Sequence, residues 1–277
     1  MQWEGREESS NVQDRRGMSP KMAIGGGAGI IVAIIAFFLG VDPGNMIRQP
    51  QGVRDEAGEE RQARFTKVIL KDTEIVWGEE FQKLNPSRRY KEPTLVLFHD
   101  EVDSACGRAD SAVGPFYCPG DSSIYIDLAF YQTLERDLKS EGEFARAYVI
   151  AHEVGHHVQR LLGYSARVDE ARRSGSKTEA NRMSVRLELQ ADYLAGVWAH
   201  HAQKRFKYLN EKDIQSAQNA AFNIGDDVLQ KRARGRVTPD SFTHGSAKQR
   251  QRWFMEGFKT GDVNAARRLF DLRYEDL

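Results

Sequence analysis

The pentapeptide His152-Glu153-Val154-Gly155-His156 constrains this chain more than any other stretch. It lies in a proline-free segment, Glu143 to Leu161, and the residues leading into it, Ala147 to Ala151, are apolar. Such a segment predicts a helix. At about 3.6 residues per turn, positions 152 and 156 then project from one face, a turn apart. Two imidazoles so placed can reach one metal ion, and Glu153 beside them is positioned as the base for a metal-activated water. Chance matches to so short a pattern occur. Two histidines and a glutamate among core residues are nonetheless costly to bury unless something pairs with them. The stretch reads as a metal site on a buried helix.

A catalytic zinc centre typically takes three protein ligands and a water. The extension H-E-x-x-H-x-x-G-x-x-H fails here, because Gln159 stands at the glycine position and Leu162 at the last histidine position. His157 points about 100° away from His156 and is expected to pack or hydrogen-bond. The next long helical segment, roughly 178–203, carries Glu188 and Asp192 four residues apart among Val185, Leu187, Leu189 and Leu194. Glu188 is the expected third ligand to one Zn2+ ion. Asp192, a turn further on, can accept the free ring N–H of a ligating histidine and fix its tautomer. The competing reading is a pair of solvated acids on an amphipathic helix.

The 277 residues hold 40 basic and 40 acidic side chains and 40% hydrophobic residues, enough for one large or two small domains. That balance gives no argument for a nucleic-acid partner, and none is expected. The locally basic run Lys231, Arg232, Arg234, Arg236, Lys248, Arg250, Arg252 reads as solvated surface. Cys106 and Cys118 flank a turn-rich loop and fit a disulfide if the compartment is oxidising. In a reducing compartment they would be two free thiols.

Residues 1–21 are polar and without apolar periodicity, so they are expected to be a disordered cytoplasmic tail. Met22 to Val41 contains no charged residue and is long enough to cross a bilayer as a helix. Gly25, Gly26, Gly27 and Gly29 within it are of a kind common in membrane spans and costly in soluble helices. Arg6, Arg15, Arg16 and Lys21 precede the run, whereas Arg48 and Arg54 follow it. The positive-inside rule therefore predicts a single-pass protein of the bacterial inner membrane, with its main domain periplasmic or extracellular.

Residues 42–60 read as a linker and 61–277 as the main domain. Helices are expected over 59–84, 128–138, 143–161, 178–203, 210–224, 247–258 and 262–272, and strands over 94–98 and 123–127. The fold class is α+β, mainly helical, with a small sheet and one N-terminal transmembrane helix.

Ala151 to Leu162 (A-H-E-V-G-H-H-V-Q-R-L-L), Glu188 to Asp192 (E-L-Q-A-D) and Ser241-Phe242-Thr243-His244-Gly245 together resemble the bacterial neutral zinc metallopeptidases, gluzincin-like proteins with an N-terminal membrane anchor. The opening M-x-W-x-G-R-x-x-S-x-N-V-x-D-R-R-G, standing at Met1 to Gly17, is similar too, as are Cys106-Gly107 and Tyr117-Cys118-Pro119. The resemblance covers nearly the whole chain. It implies a zincin-like domain with zinc on His152, His156 and Glu188 and with Glu153 as catalytic base, acting on a peptide or protein substrate. In zincins a strand upstream of the motif helix pairs with extended substrate, and Ser123 to Asp127 is the candidate by order along the chain. His244 is the candidate donor to the developing oxyanion, with Tyr125 and Tyr193 behind it, although a lone loop histidine is more often structural. The alternative function is a non-catalytic, membrane-tethered scaffold that zinc merely stabilises.

Overall fold

The structure, a computed structural model, describes residues 1–17, 55–87, 89–174 and 176–277. The apolar run at 22–41, expected as a membrane helix, lies outside the described residues. Among the described residues no helix is long and apolar enough to cross a membrane.

The domain is mainly helical with a small sheet. Helix α1 (Glu56–Leu84) is capped by Asp55, whose carboxylate accepts the Gly58 N–H at 3.1 Å. The helix starts earlier than its apolar spacing predicts, so the linker expected over 42–60 ends by residue 55. Strands β2 (Thr94–Phe98), β3 (Glu101–Ser104), β4 (Gly107–Asp110), β5 (Phe116–Cys118) and β6 (Ser123–Asp127) follow. The first strand of the chain, β1 (Val12–Asp14), completes a four-stranded sheet of order β1-β2-β6-β5. β1, β2 and β6 run parallel, and β5 lies antiparallel to β6 at the edge, with Tyr117 opposite Ile124. The β3–β4 hairpin stands apart, tied to β5 by the Cys106–Cys118 disulfide.

β1 corrects the expectation of a disordered N-terminal tail. Residues 1–17 dock on the domain through separate anchoring side chains and a three-residue strand, features that produce no apolar periodicity. Trp3 is only 3% exposed and meets Phe65 edge to face.

The helical layer comprises α2 (Ala129–Arg136), α3 (Glu143–Leu162), α4 (Ser165–Ser174), α5 (Lys177–Phe206), α6 (Glu211–Asn223), α7 (Asp226–Arg234) and α8 (Ala247–Thr260). Serine or asparagine caps set several starts. Ser176 accepts the Glu179 N–H, while Asn210 with Asp213 and Ser246 with Gln249 form capping boxes. α4 and α7 leave no signal in the sequence: both are short and polar, and their charged faces hide the period. The helix expected over 262–272 is instead a 3-10 turn, Val263–Arg267, followed by one helical turn, Arg268–Asp271.

Two close helix crossings position the functional residues. A Cβ on Gly155 would lie 3.0 Å from the Ala191 carbonyl oxygen, so the absence of a side chain there lets α3 and α5 meet nearly backbone to backbone. Gly196 and Gly257 do the same for α5 and α8, where an added Cβ would sit 2.0 Å from the Phe254 or the Tyr193 carbonyl oxygen. α3, α5 and α8 therefore share one core.

Candidate metal centre

α3 presents His152 and His156 on one face, and α5 brings Glu188 against them. His152 Nε2 lies 3.2 Å from Glu188 Oε2, and His156 Nε2 lies 3.5 Å from Glu188 Oε1. The three ligand atoms fall within 4.8 Å of one another. Zinc holds imidazole nitrogen and carboxylate oxygen at about 2.0–2.2 Å, which puts tetrahedral neighbours ~3.3–3.6 Å apart. The donor set fits that ion, and three protein ligands leave one tetrahedral position for a water.

The surroundings orient the ligands. His152 Nδ1 lies 2.8 Å from Asp192 Oδ1, and His156 Nδ1 lies 2.9 Å from Gln159 Oε1. Both contacts leave Nε2 of each ring for the metal. Gln159, fully buried, donates in turn to the Leu187 carbonyl at 2.6 Å. Gln159, one of the two residues that break the three-histidine pattern, thus serves to hold the second histidine.

Asp192 is completely buried and does not stand alone. Arg250 donates to it through Nε at 2.7 Å and Nη2 at 3.0 Å, and the Tyr148 hydroxyl donates to it as well. Arg250 is 3% exposed, so the basic run read as solvated surface is only partly so: Lys248 and Arg252 are exposed, and Arg250 is a core residue. Tyr148 could have been found, since 148, 152 and 156 repeat at the same helical spacing. Arg250 carried no such signal.

Burial would push the Asp192 carboxyl up, but the Arg250 and His152 charges hold it below the ordinary range. Burial likewise works against Glu188, yet the charges of His156 and His244 and the His152 bond keep it well below. Burial lowers the His152 imidazolium, and the carboxylates of Asp192 and Glu188 more than reverse this, pushing it up to about 9.

Glu153 is buried, and its carboxyl is raised by that burial against the neighbouring histidine charges. It accepts the backbone N–H of Tyr117, which places it beside β5, an edge strand among the described residues. The strand proposed from chain order to meet substrate, Ser123–Asp127, is instead central: β2 and β5 occupy both its edges and every residue is buried. The Tyr117 hydroxyl lies 3.0 Å from His157 Nδ1, and His157 Nε2 lies 2.6 Å from the Lys91 carbonyl oxygen. His157 therefore packs between strand and helix, as its direction on α3 predicts.

His244 precedes α8. Its Nδ1 lies 3.2 Å from Asp226 Oδ1, while Asp226 Oδ2 accepts the backbone N–H groups of Thr243 and His244, each at 2.7 Å, and of Gly245 at 3.1 Å. This carboxylate, fully buried, fixes the loop and leaves Nε2 of His244 available. His244 and Glu188 are near enough for each charge to affect the other's titration. Tyr125 and Tyr193 are not brought to the centre. The Tyr125 hydroxyl donates to Asp121 at 2.8 Å in the β3–β5 cluster, and the Tyr193 hydroxyl donates to the Asp262 carbonyl at 2.8 Å.

Fold and site together define an α+β protein with a His-His-Glu metal-binding geometry on two crossing helices. The profile of the family described as "Putative neutral zinc metallopeptidase" matches residues 1–268, and the chain belongs to that family. It is similar to "Uncharacterized protein YpfJ" of Escherichia coli strain K12, with 45% identity over 279 residues, covering 95% of this chain and 96% of that protein. It is also similar to "Uncharacterized protein Mb2605" of Mycobacterium bovis, with 40% identity over 251 residues and 83% of each chain. No solved structure matches.

Proposed function

We propose that the protein is a membrane-attached, single-zinc peptidase with a zincin-like catalytic domain, cleaving peptide bonds outside the cytoplasm. The observation that carries this reading is the convergence of His152, His156 and Glu188 within 4.8 Å, with Glu153 bonded to the edge strand β5. His152, His156 and Glu188 would hold the ion, which when bound would polarise a water and lower its pKa to about 7. Glu153 takes a proton from the attacking water and returns it to the leaving amine, a role suited to a buried carboxyl whose pKa is raised. His244, oriented by Asp226, donates to the developing oxyanion. An extended substrate adds to the open edge of β5, so that its scissile bond comes past Glu153. The Cys106–Cys118 disulfide supports an oxidising compartment.

The test uses the full chain, measuring bound zinc and cleavage of casein. Glu153→Gln is expected to keep zinc and lose activity by about 10²-fold or more. Glu188→Ala is expected to lose both. Full activity in Glu153→Gln refutes the catalytic assignment, and zinc held tightly by wild type with no cleavage of any peptide indicates a structural site.

A further inference from the structure

Residues 1–17 are fastened to the domain along most of their length, and nearly every partner lies beyond the apolar run Met22–Val41. The Trp3 indole N–H donates to Glu143 Oε1, on the first residue of α3, at 2.9 Å. Arg6 pairs with Asp72, which is 1% exposed, and its guanidinium lies 3.8 Å over the Phe206 ring. Ser9 and Asn11 both donate to Glu74, at 2.5 and 2.8 Å. β1 then pairs with β2, with the Leu95 N–H donating to the Asn11 carbonyl at 2.8 Å and the Arg15 N–H to the Leu97 carbonyl at 2.7 Å. A buried indole, a buried ion pair and a strand edge cannot be kept across a hydrocarbon layer about 30 Å thick.

We infer that residues 1–17 and the metal centre occupy the same side of any membrane the chain attaches to. Sharing a side requires an even number of crossings. One crossing takes about 20 apolar residues as a helix, and Met22 to Val41 supplies twenty. Two of the four cations counted toward a cytoplasmic N-terminus have a role within the fold. Arg6 is committed to Asp72, and Arg16 to Asp14 and Glu60, so these cations serve the domain's own ion pairs. The inference is independent of the peptidase assignment and would stand if the protein cleaved nothing.

Two exposed ion pairs give the test. Glu8 and Arg64 lie 3.2 Å apart, and Glu4 and Arg61 3.1 Å apart, on opposite sides of the run in sequence. The two native cysteines are bonded to each other, so introduced thiols are the only free ones. Full-length E8C/R64C and E4C/R61C, in native membranes, are treated with a short bismaleimide before solubilisation. An intramolecular cross-link in most chains of both variants is expected. The single variants E8C and R64C, probed with a membrane-impermeant maleimide on spheroplasts and on inverted vesicles, are expected to label from the same face. Labelling of positions 8 and 64 from opposite faces, or no cross-link in either pair, overturns the inference.

Discussion

Replacing Arg250 by methionine keeps its apolar stem and removes the guanidinium, which tests whether the core beneath the metal centre depends on it. Arg250 makes two bonds to Asp192, at 2.7 and 3.0 Å, and Asp192 has no solvent contact to fall back on. Breaking a buried ion pair from one side costs about 3–5 kcal/mol, because a charge is left uncompensated. His152, carrying its proton in the metal-free protein, still faces Asp192 at 2.8 Å and puts the loss near the lower end, about 3 kcal/mol. For a chain of this size each kcal/mol shifts Tm by roughly 2–4 °C, so metal-free R250M should melt about 6–12 °C below wild type at pH 7. Thermal denaturation in the presence of a chelator reads this directly. In R250M the added change Asp192→Asn removes the stranded charge, and the double variant should recover about 1–3 kcal/mol relative to additivity. A Tm drop below about 2 °C, or strict additivity, would refute the claim that Arg250 neutralises Asp192.

Zinc binding should be coupled to proton release. Burial lowers His152, but Asp192 and Glu188 raise it to about 9, and Glu188 raises His156 against the same burial effect. Both rings must be neutral to ligate, so calorimetry at pH 7 in buffers of different ionisation heat should show about one to two protons released per ion. The folded value for His152 exceeds the unfolded value of about 6.5. Its contribution to metal-free stability is therefore complete below about pH 6.5 and is lost as pH rises through about 9. Zinc affinity runs the other way, and an affinity flat between pH 6 and 9 would contradict the geometry. Gly155→Val places a Cβ 3.0 Å from the Ala191 carbonyl oxygen, with further atoms beyond it. It should destabilise the fold by about 1–3 kcal/mol and weaken zinc in chelator competition by parting Glu188 from the histidines, and wild-type values for both would sink the close-crossing account.

The sequence by itself determined the local parts. Two histidines on one helical face with a glutamate beside them, two acids four apart on another helix and a cysteine pair around a turn-rich loop are short-range patterns, most of them legible because a helix has a fixed period. They carried the ligand candidates, the buried helix and most helix boundaries. Tertiary structure decided everything that depends on which segments meet. Arg250 lies 58 residues from Asp192 in sequence and reads as one more surface cation, yet the Gly196–Gly257 crossing buries it against that carboxylate. Asp226 opened a helix too polar to be noticed, and only folding brings it to His244. The edge strand beside Glu153 is β5, and β6 is central, because strand order in a sheet is set by pairing and not by position along the chain. Residues 1–17 lack the periodicity that marks an element, since their attachment rests on a few separate anchors and a three-residue strand. Periodicity reports which face of a segment is buried; only the assembled chain reports what it is buried against.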